Sequence, residues 1–324
     1  MKAVVCKTYG PPESLVVEQA APLQPGRGQV VVSVKACGVN FPDTLIIRGL
    51  YQFKPEPPFS PGSEVAGIVK AVGAGVERVK PGDRVIAFSA FGGFAEELLA
   101  DAGGLIPMPP AMDFDTAASF VMTYGTSIHA LKDRAHLRPG ETLLVLGAAG
   151  GIGLAAVEIG KAMGAKVIAA ASSDEKLAVC RQHGADAVIN YSNEDLKARI
   201  SALTDRQGVD VIVDPVGGAY SEPALRGMAW NGRFLVVGFT AGDIPRIPLN
   251  LALLKGCSIV GVFWGSFAAR DPRRNHENLR ELLGWFEAGH LKPRISARYP
   301  LERAADALND ILQRKVIGKA VLVT

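Results

Sequence analysis

The fold is decided by the stretch Thr142-Leu-Leu-Val-Leu-Gly-Ala-Ala-Gly-Gly-Ile-Gly153, which runs directly into Leu154-Ala-Ala-Val-Glu-Ile-Gly-Lys161. The apolar run at its start is typical of a buried parallel strand, and the segment after the glycines is typical of a helix. Ala148, Gly150 and Gly153 have the G-x-G-x-x-G spacing, with alanine in the first place. Gly150 would let the backbone approach a pyrophosphate at the helix N-terminus, and Gly153 would let helix and strand pack closely.

A second strand is predicted at Lys166-Val-Ile-Ala-Ala-Ala-Ser172, at the distance that a dinucleotide-binding unit requires. An NAD site has a carboxylate at the end of this strand, where it accepts hydrogen bonds from the adenosine ribose. Here Ser172 and Ser173 stand at that point and Lys176 follows within one turn, so hydroxyls and an ammonium could bind a 2′-phosphate. We expect Asp174 and Glu175 to face solvent in the first turn of the next helix. The sequence therefore predicts NADPH as the cofactor.

Composition predicts a two-domain protein that works on small molecules. The chain has 324 residues, which exceeds one comfortable core, and 48% of them are hydrophobic. A net charge of +3 is too small to indicate nucleic acid or a membrane surface as the main partner. No apolar run is long enough to span a bilayer. The four cysteines are scattered without a disulfide framework, so we expect reduced thiols and a cytoplasmic location.

Three segments are predicted within an α/β fold. Residues 1–121 contain short β-branched runs separated by Pro-Gly and Gly-Gly turns, which indicates an irregular β-rich domain. Residues 122–262 alternate strands and helices, which predicts a doubly wound parallel sheet. Residues 263–324 are expected to return to the first domain. The apolar segment 257–263 is predicted to be an edge strand, and an open edge favours pairing into a homodimer.

Short motifs along the whole chain resemble the zinc-free quinone oxidoreductase, or zeta-crystallin-like, branch of the medium-chain dehydrogenase/reductase superfamily. The motifs, in order, are Gly38–Thr44, Arg48–Tyr51, Pro61–Gly67, Val79–Val85, the glycine-rich turn, Ala187–Tyr191, Val213–Gly218 and Ile317–Lys319. The resemblance implies a GroES-like catalytic domain, a Rossmann domain that binds NADPH, and dimers that continue the sheet across two subunits.

The alcohol dehydrogenase relatives of this branch hold a catalytic zinc, and the ligand positions can be located here. They carry Asn40, Ser63 and Met122, which are poor zinc ligands beside thiolate and imidazole. Cys37 precedes the first position and is expected to pack as a small apolar side chain. We therefore expect no metal. Without a Lewis acid the oxidation of an alcohol loses its main stabiliser, which leaves hydride transfer to a quinone or an α,β-unsaturated carbonyl.

The resemblance implies three catalytic residues, Asn40, Asp43 and Tyr51. Asn40 and Asp43 resemble a polar pair beside the nicotinamide, and Tyr51 resembles a hydroxyl at the substrate mouth. Asn40 could hydrogen-bond a nicotinamide ribose or a carbonyl, and Tyr51 could donate to an oxygen that gains charge. Helix N-capping by Asp43 and simple packing of Tyr51 remain open alternatives.

The resemblance also implies a set of cofactor contacts. Thr126 resembles a threonine near the nicotinamide, and Tyr191 resembles a tyrosine that covers the 2′-phosphate. The full predicted set is Asn40, Thr126, Ala149, Gly150, Gly151, Ile152, Ser172, Ser173, Lys176, Tyr191, Val216, Gly238, Phe239, Thr240, Phe263, Trp264 and Arg314. A hydroxyl bonded to its own helix for Thr126, an exposed strand end for Tyr191 and a solvated charge for Arg314 are the alternatives.

Two other functions compete with an NADPH-dependent quinone reductase. An enone or enoyl-thioester reductase would need the same site, and a CoA substrate would also need a basic entrance. Arg270, Arg273 and Arg274 form the only obvious basic cluster, which could equally be a solvated loop. A cofactor-binding protein without turnover is the third possibility, although nothing in the sequence favours nucleic acid as a partner.

Overall fold

In the computed structural model, which describes residues 1–324, internal contacts divide the chain into two units. Unit one consists of Met1–Met122 and Pro293–Thr324, and unit two consists of Thr123–Lys292. The sequence-based division placed the whole of 263–324 with the first domain. By contacts the chain returns only at Pro293, so residues 263–292 belong to unit two.

Unit one is built on a seven-stranded sheet with the order β14-β15-β3-β4-β5-β7, in which β6 also pairs with β3. A separate antiparallel pair is formed by β1 and β2. The strands are β1 (Lys2–Val5), β2 (Val16–Gln19), β3 (Gln29–Val39), β4 (Glu64–Val72), β5 (Arg84–Phe88), β6 (Glu97–Asp101), β7 (Ile106–Pro107), β14 (Ile295–Pro300) and β15 (Lys319–Val323). The helices are α1 (Phe41–Ile46), α2 (Phe114–Ala117) and α11 (Ala304–Leu312).

The pairing of β15 with β3 determines what meets at the end of β3. The two strands are antiparallel, and Ala320 lies opposite Val39. This register brings Lys319, the first residue of β15, next to Asn40, where β3 ends and α1 begins. Residues from opposite ends of the chain therefore share one location in unit one.

Unit two contains a six-stranded, wholly parallel sheet with the order β10-β9-β8-β11-β12-β13. Its strands are β8 (Thr142–Leu146), β9 (Lys166–Ala171), β10 (Ala187–Asn190), β11 (Val209–Asp214), β12 (Met228–Val236) and β13 (Ser258–Gly261). Its helices are α3 (Val121–Ile128, which starts in unit one), α4 (Gly151–Ala162), α5 (Asp174–Gln182), α6 (Leu196–Leu203), α7 (Ser221–Arg226), α8 (Asn250–Lys255), α9 (Trp264–Arg270) and α10 (Pro272–Glu287).

This strand order reverses between β8 and β11, as it does in doubly wound dinucleotide-binding sheets. Residues 143–146 of β8 are fully buried, because a central parallel strand is covered on both faces. The predicted fold class, a GroES-like β-rich domain plus a Rossmann-type sheet, is confirmed. None of the helices is long and apolar enough to cross a membrane.

Candidate active site

The glycine-rich turn between β8 and α4 differs in one detail from the sequence-based interpretation. That interpretation put Ala148 in the place of the first glycine. The structure puts the left-handed residue one position earlier, at Gly147, whose φ is +57°. A Cβ on Gly147 would lie 2.7 Å from Cγ2 of Val216, so both the backbone angle and the space require glycine there.

Gly150 and Gly153 lack side chains for different reasons. A Cβ on Gly153 would lie 2.4 Å from the carbonyl oxygen of Gly147, so the packing of α4 against the turn excludes any side chain. A Cβ on Gly150 would meet only that same oxygen, at an ordinary 3.5 Å. Gly150 precedes α4 with an unstrained backbone (φ −79°, ψ 174°). Nothing inside the protein demands glycine at position 150, which fits a cradle for an external anionic group at the helix N-terminus.

Ala149, Gly151 and Ile152 are the other predicted cofactor contacts at this turn. Ala149 is buried beneath the turn, whereas Gly151 and Ile152 begin α4. The first N–H groups of a helix have no partner within the helix, so the amides of Gly151 and Ile152 are suited to an anion. Ser127 donates to the carbonyl oxygen of Ile152 at 3.1 Å and ties α3 to the start of α4.

The residues predicted to bind a 2′-phosphate meet at the carboxyl ends of β9 and β10. Lys176 Nζ donates to Oγ of Ser172 at 3.3 Å, and Ser173 is the N-cap of α5. The amide of Tyr191 donates to the carbonyl oxygen of Ala171, which brings Tyr191 beside the end of β9. Asp174 is exposed and accepts from the side-chain amide of Asn190 at 2.8 Å, as expected of a carboxylate turned to solvent.

Two loops at the carboxyl ends of β11 and β12 are held together by backbone hydrogen bonds. Thr240 donates through both its amide and its Oγ1 to the carbonyl oxygen of Pro215, each at 3.1 Å, and Ala241 donates to Val216 at 2.8 Å. Asp214 accepts from the amide of Val216 at 2.8 Å and shapes the first loop. The structure therefore brings Val216 together with the predicted segment Gly238–Thr240.

The remaining cofactor candidates of unit two are Thr126, Phe263 and Trp264. Thr126 is buried in α3, and Phe263 is about half exposed. Trp264 is 4% exposed, packs against Gly125, and donates its indole N–H to Asn275 at 3.0 Å. The structure thus uses Trp264 as an interior packing residue of unit two.

In unit one, Asn40 and Asp43 form a buried pair at the start of α1. The N-cap of α1 is Asn40, and Asp43 caps the helix reciprocally, because Oδ2 accepts from the Asn40 amide at 2.7 Å. The alternative in which Asp43 is the N-cap is therefore wrong, because the N-cap is Asn40, three residues earlier. Capping does not use all of this carboxyl group, since Oδ1 is buried without a hydrogen bond.

Sequence reasoning did not single out Glu64 and Lys319, which join Asn40 in the structure. Glu64 is fully buried and accepts from the amide of Met122 at 2.8 Å and from Nδ2 of Asn40 at 3.3 Å. Lys319 is 5% exposed and donates to Oδ1 of Asn40 at 2.5 Å, with Glu64 Oε2 at 3.6 Å. One signal in the sequence could have identified them. Each is a charged residue at the start of an apolar strand, Glu64 in β4 and Lys319 in β15, and a buried charge needs a partner.

Burial dominates the ionisation of this cluster. It raises the pKa of Asp43 to about 7, against the opposing effects of the Asn40 amide and the Lys319 ammonium. It also raises the pKa of Glu64, where Lys319 and the Met122 amide oppose it. The pKa of the Tyr51 hydroxyl is raised by burial and by the charge of Asp43. Three groups that exchange protons are therefore electrostatically linked within unit one.

The side chains at this location do not fit zinc. The Asn40 side chain and the Met122 backbone amide both donate to Glu64, and Ser63 precedes Glu64 in the chain, so the three predicted ligand positions are close along the backbone. Their donor set of amide, hydroxyl and thioether is unsuited to zinc, and the structure contains no group of three His, Cys, Asp or Glu side chains able to hold a metal. Cys37 is buried in the hydrophobic core of unit one.

Exposed aromatic side chains surround the segment that carries Tyr51. Phe53 stacks on Phe91 with ring centroids 6.0 Å apart and planes 20° apart, and Phe91 meets Phe59 edge to face. Leu50, Phe53 and Phe91 are 65%, 45% and 39% exposed. We call Phe53 and Phe91 the aromatic ledge. Such a surface is suited to an uncharged, planar partner.

The two predicted arginine features have different surroundings. Arg314 follows α11 in unit one with a left-handed backbone (φ +57°). In the basic cluster, Arg270 donates to Ser266, Arg273 pairs with Glu277 at 3.2 Å, and Arg274 pairs with Asp133 at 3.1 Å. Two of the three arginines are therefore paired with carboxylates, whereas Arg270 bonds to a neutral hydroxyl.

Comparison with known proteins gives one family match in each of the two units. Residues 26–110 match the family model of the alcohol dehydrogenase GroES-like domain, and residues 151–287 match that of the zinc-binding dehydrogenase. The second match does not include positions 40, 63 and 122, where zinc ligands would stand.

Full-length relatives include a quinone oxidoreductase-like protein 2 homolog from Nematostella vectensis, 43% identical over 100% of this chain and 89% of the relative. A quinone oxidoreductase from Rattus norvegicus is 36% identical over 100% of this chain and 98% of its own. Among solved structures, the quinone oxidoreductase of Escherichia coli complexed with NADPH is 30% identical, covers all of both chains and superposes with a TM-score of 0.93.

Proposed function

Because the chain belongs to the quinone oxidoreductase family of medium-chain dehydrogenases/reductases, we propose that it transfers hydride from NADPH to a quinone without zinc. The observation that carries this proposal is that Asn40, Ser63 and Met122 occupy the three ligand positions, where the Asn40 side chain and the Met122 amide both donate to Glu64. A site that cannot polarise an alcohol through a metal is suited to acceptors that are already electrophilic.

The NADPH preference is supported by the end of β9. Ser172 and Lys176 lie 3.3 Å apart through Oγ and Nζ, at the point where an NAD site would have a carboxylate. Tyr191 lies beside them, and its ring is 4.3 Å from that of Tyr220. An ammonium, hydroxyls and an aromatic wall suit a 2′-phosphate. The similar Escherichia coli enzyme was crystallised with NADPH, which agrees with this assignment.

NADPH supplies the hydride when it is bound, and the residues of this chain bind and orient the reactants. The first amides of α4, after Gly150, would donate to the pyrophosphate, and Val216 with Gly238–Thr240 forms a backbone wall at the same edge of the sheet. Tyr51 donates a hydrogen bond to the acceptor oxygen that gains charge. Hydride transfer to a quinone leaves a hydroquinone anion that needs one proton. Since water can supply this proton, no general acid of the protein is required.

The acceptor is proposed to be a neutral planar ring. The aromatic ledge is uncharged, and two of the three arginines in the basic cluster that a CoA substrate would need are paired with carboxylates. Enone reduction is the second candidate, and Asp43 favours it. Its carboxyl group has a pKa of about 7 and acts electrostatically on Tyr51, so it could store the proton that an enone needs at carbon.

We also propose that two copies pair through β13, an edge strand bonded only to β12. Exposed apolar side chains accompany this edge, including Leu249, Leu253, Ile259 and Phe263. An open apolar edge favours a second copy of the same strand. The four cysteines are free, which supports a reducing location such as the cytoplasm.

The proposal is tested by following NADPH oxidation with p-benzoquinone, an α,β-unsaturated ketone and crotonyl-CoA, each with and without a chelator. We expect the quinone to be reduced fastest, with no effect of the chelator. Loss of activity together with bound zinc would refute the metal-free mechanism. Preferential turnover of the enone or the thioester would favour the second candidate, and NADPH binding without turnover would favour a non-enzymatic role.

A further inference from the structure

Lys319 is a buried lysine whose position is determined by the sheet of unit one. It opens β15, which lies between β14 and β3, and it is 5% exposed. Its Nζ donates to the carbonyl oxygen of Val39 at 3.0 Å and to Oδ1 of Asn40 at 2.5 Å. The third N–H faces Glu64 Oε2 at 3.6 Å. Two of the N–H groups of the ammonium are therefore directed at the end of β3, and the third is directed at the start of β4.

The contact with Lys319 determines which way the Asn40 amide faces. An ammonium can only donate, so it selects Oδ1, while Nδ2 donates to the Gly38 carbonyl at 3.2 Å and to Glu64 at 3.3 Å. Both N–H groups of the Asn40 amide are thus occupied. The only unused capacity is the second lone pair of Oδ1. Toward a bound molecule Asn40 can accept from a hydroxyl but cannot donate to a carbonyl.

Removal of the ammonium would release this arrangement. Asp43 and Glu64 are two fully buried carboxyl groups served by this single buried cation. Without it the Oδ1 of Asn40 would lose its strongest donor, and the amide could rotate to point Nδ2 the other way. The protein would then offer a donor where it now offers an acceptor.

We propose that Lys319 is a positioning residue for the cofactor: it holds Asn40 as a hydrogen-bond acceptor for a hydroxyl of the nicotinamide ribose. The positive charge at this location belongs to the side chain of Lys319, since the surrounding donor set does not suit a metal ion. This inference rests on the proposed function, because it requires that the protein bind a nicotinamide cofactor near Asn40.

The test is a double-mutant cycle in the full chain, read by cofactor affinity in the absence of acceptor. The variants are Lys319→Met, Asn40→Ala and their combination. The control is Lys35→Met, because Lys35 is an exposed lysine on β3, the strand that ends next to Asn40. Loss of one hydrogen bond corresponds to about 3- to 10-fold weaker binding. We expect this loss in each single variant and no further loss in the combination, while Lys35→Met changes nothing.

A second readout separates this role from recognition of the 2′-phosphate. NADH and NADPH share the nicotinamide ribose, so Lys319→Met should weaken both cofactors by the same factor. A role of Lys319 in folding alone would lower the melting temperature, and any loss of affinity would then persist in the Asn40→Ala background. If Lys319→Met does not fold, the cycle is run in Glu64→Gln, which removes the opposing buried charge.

The outcomes distinguish failure of the proposed function from failure of this inference alone. Wild-type protein that binds neither cofactor would overturn the proposed function together with this inference. Wild-type protein that binds NADPH, with additive effects of Lys319→Met and Asn40→Ala, would overturn this inference alone. Non-additive losses that are equal for both cofactors would establish it.

Discussion

Substitution of Gly150 by alanine should weaken NADPH binding without harming the fold. The new Cβ would meet only the Gly147 carbonyl oxygen, at 3.5 Å, and the backbone at position 150 is one that any residue adopts. Alanine restricts the unfolded chain and is slightly worse than glycine as an N-cap, and these effects nearly cancel. We therefore expect the free energy of unfolding of the apo protein to change by less than about 0.5 kcal/mol.

Binding should respond very differently. The same Cβ would stand where a pyrophosphate approaches the first amides of α4. An overpacked contact costs about 1–3 kcal/mol, which corresponds to roughly 5- to 150-fold weaker NADPH binding. Gly153→Ala is the matched control, because its Cβ would lie 2.4 Å from the same Gly147 oxygen and 2.6 Å from backbone atoms of Ala148. That variant should lose about 1–3 kcal/mol of stability with or without cofactor.

Two measurements on each variant decide the matter, the melting temperature of the apo protein and the NADPH dissociation constant. We expect Gly150→Ala to melt like the wild type and to bind weakly. Gly153→Ala should melt about 2–4 °C lower for each kcal/mol lost. A Gly150→Ala protein that binds NADPH as tightly as the wild type would refute the cradle at the start of α4.

Three further results are expected. Lys176→Met should weaken NADPH at least tenfold and leave NADH unchanged, and equal effects on both dissociation constants would place the 2′-phosphate elsewhere. Because burial raises the pKa of Asp43 from 3.8 to about 7, the folded state binds a proton more tightly than the unfolded chain. Stability from this group is therefore full below about pH 4 and is lost as the pH rises through about 7, by at most about 4 kcal/mol, and Asp43→Asn should flatten the curve of melting temperature against pH. Ile259→Glu places a charge on the open edge of β13 and should shift the protein to monomers in light scattering, whereas a wild-type protein that is already monomeric would remove the dimer proposal.

Local sequence was enough to predict the Rossmann half of the molecule. The apolar run before Gly147 and the small residues after Gly153 specify strand, turn and helix through neighbours in sequence, so β8 and α4 begin and end close to where they were expected. The packing role of Gly153 also follows from this local geometry, and the 2.4 Å approach of its Cβ to the Gly147 carbonyl oxygen agrees with it. The meeting of Ser172, Lys176 and Tyr191 could be predicted because parallel strands end at one edge of a sheet.

Only the tertiary structure decided the polar cluster of unit one. Lys319 reaches Asn40 and Glu64 because β15 pairs with β3 in one register, and no local pattern specifies a pairing between the two ends of a chain. The return of the chain at Pro293 depends likewise on long-range packing. Sequence therefore determined which residue types stand at the three ligand positions, whereas the strand register determined that a buried ammonium lies beside Asn40.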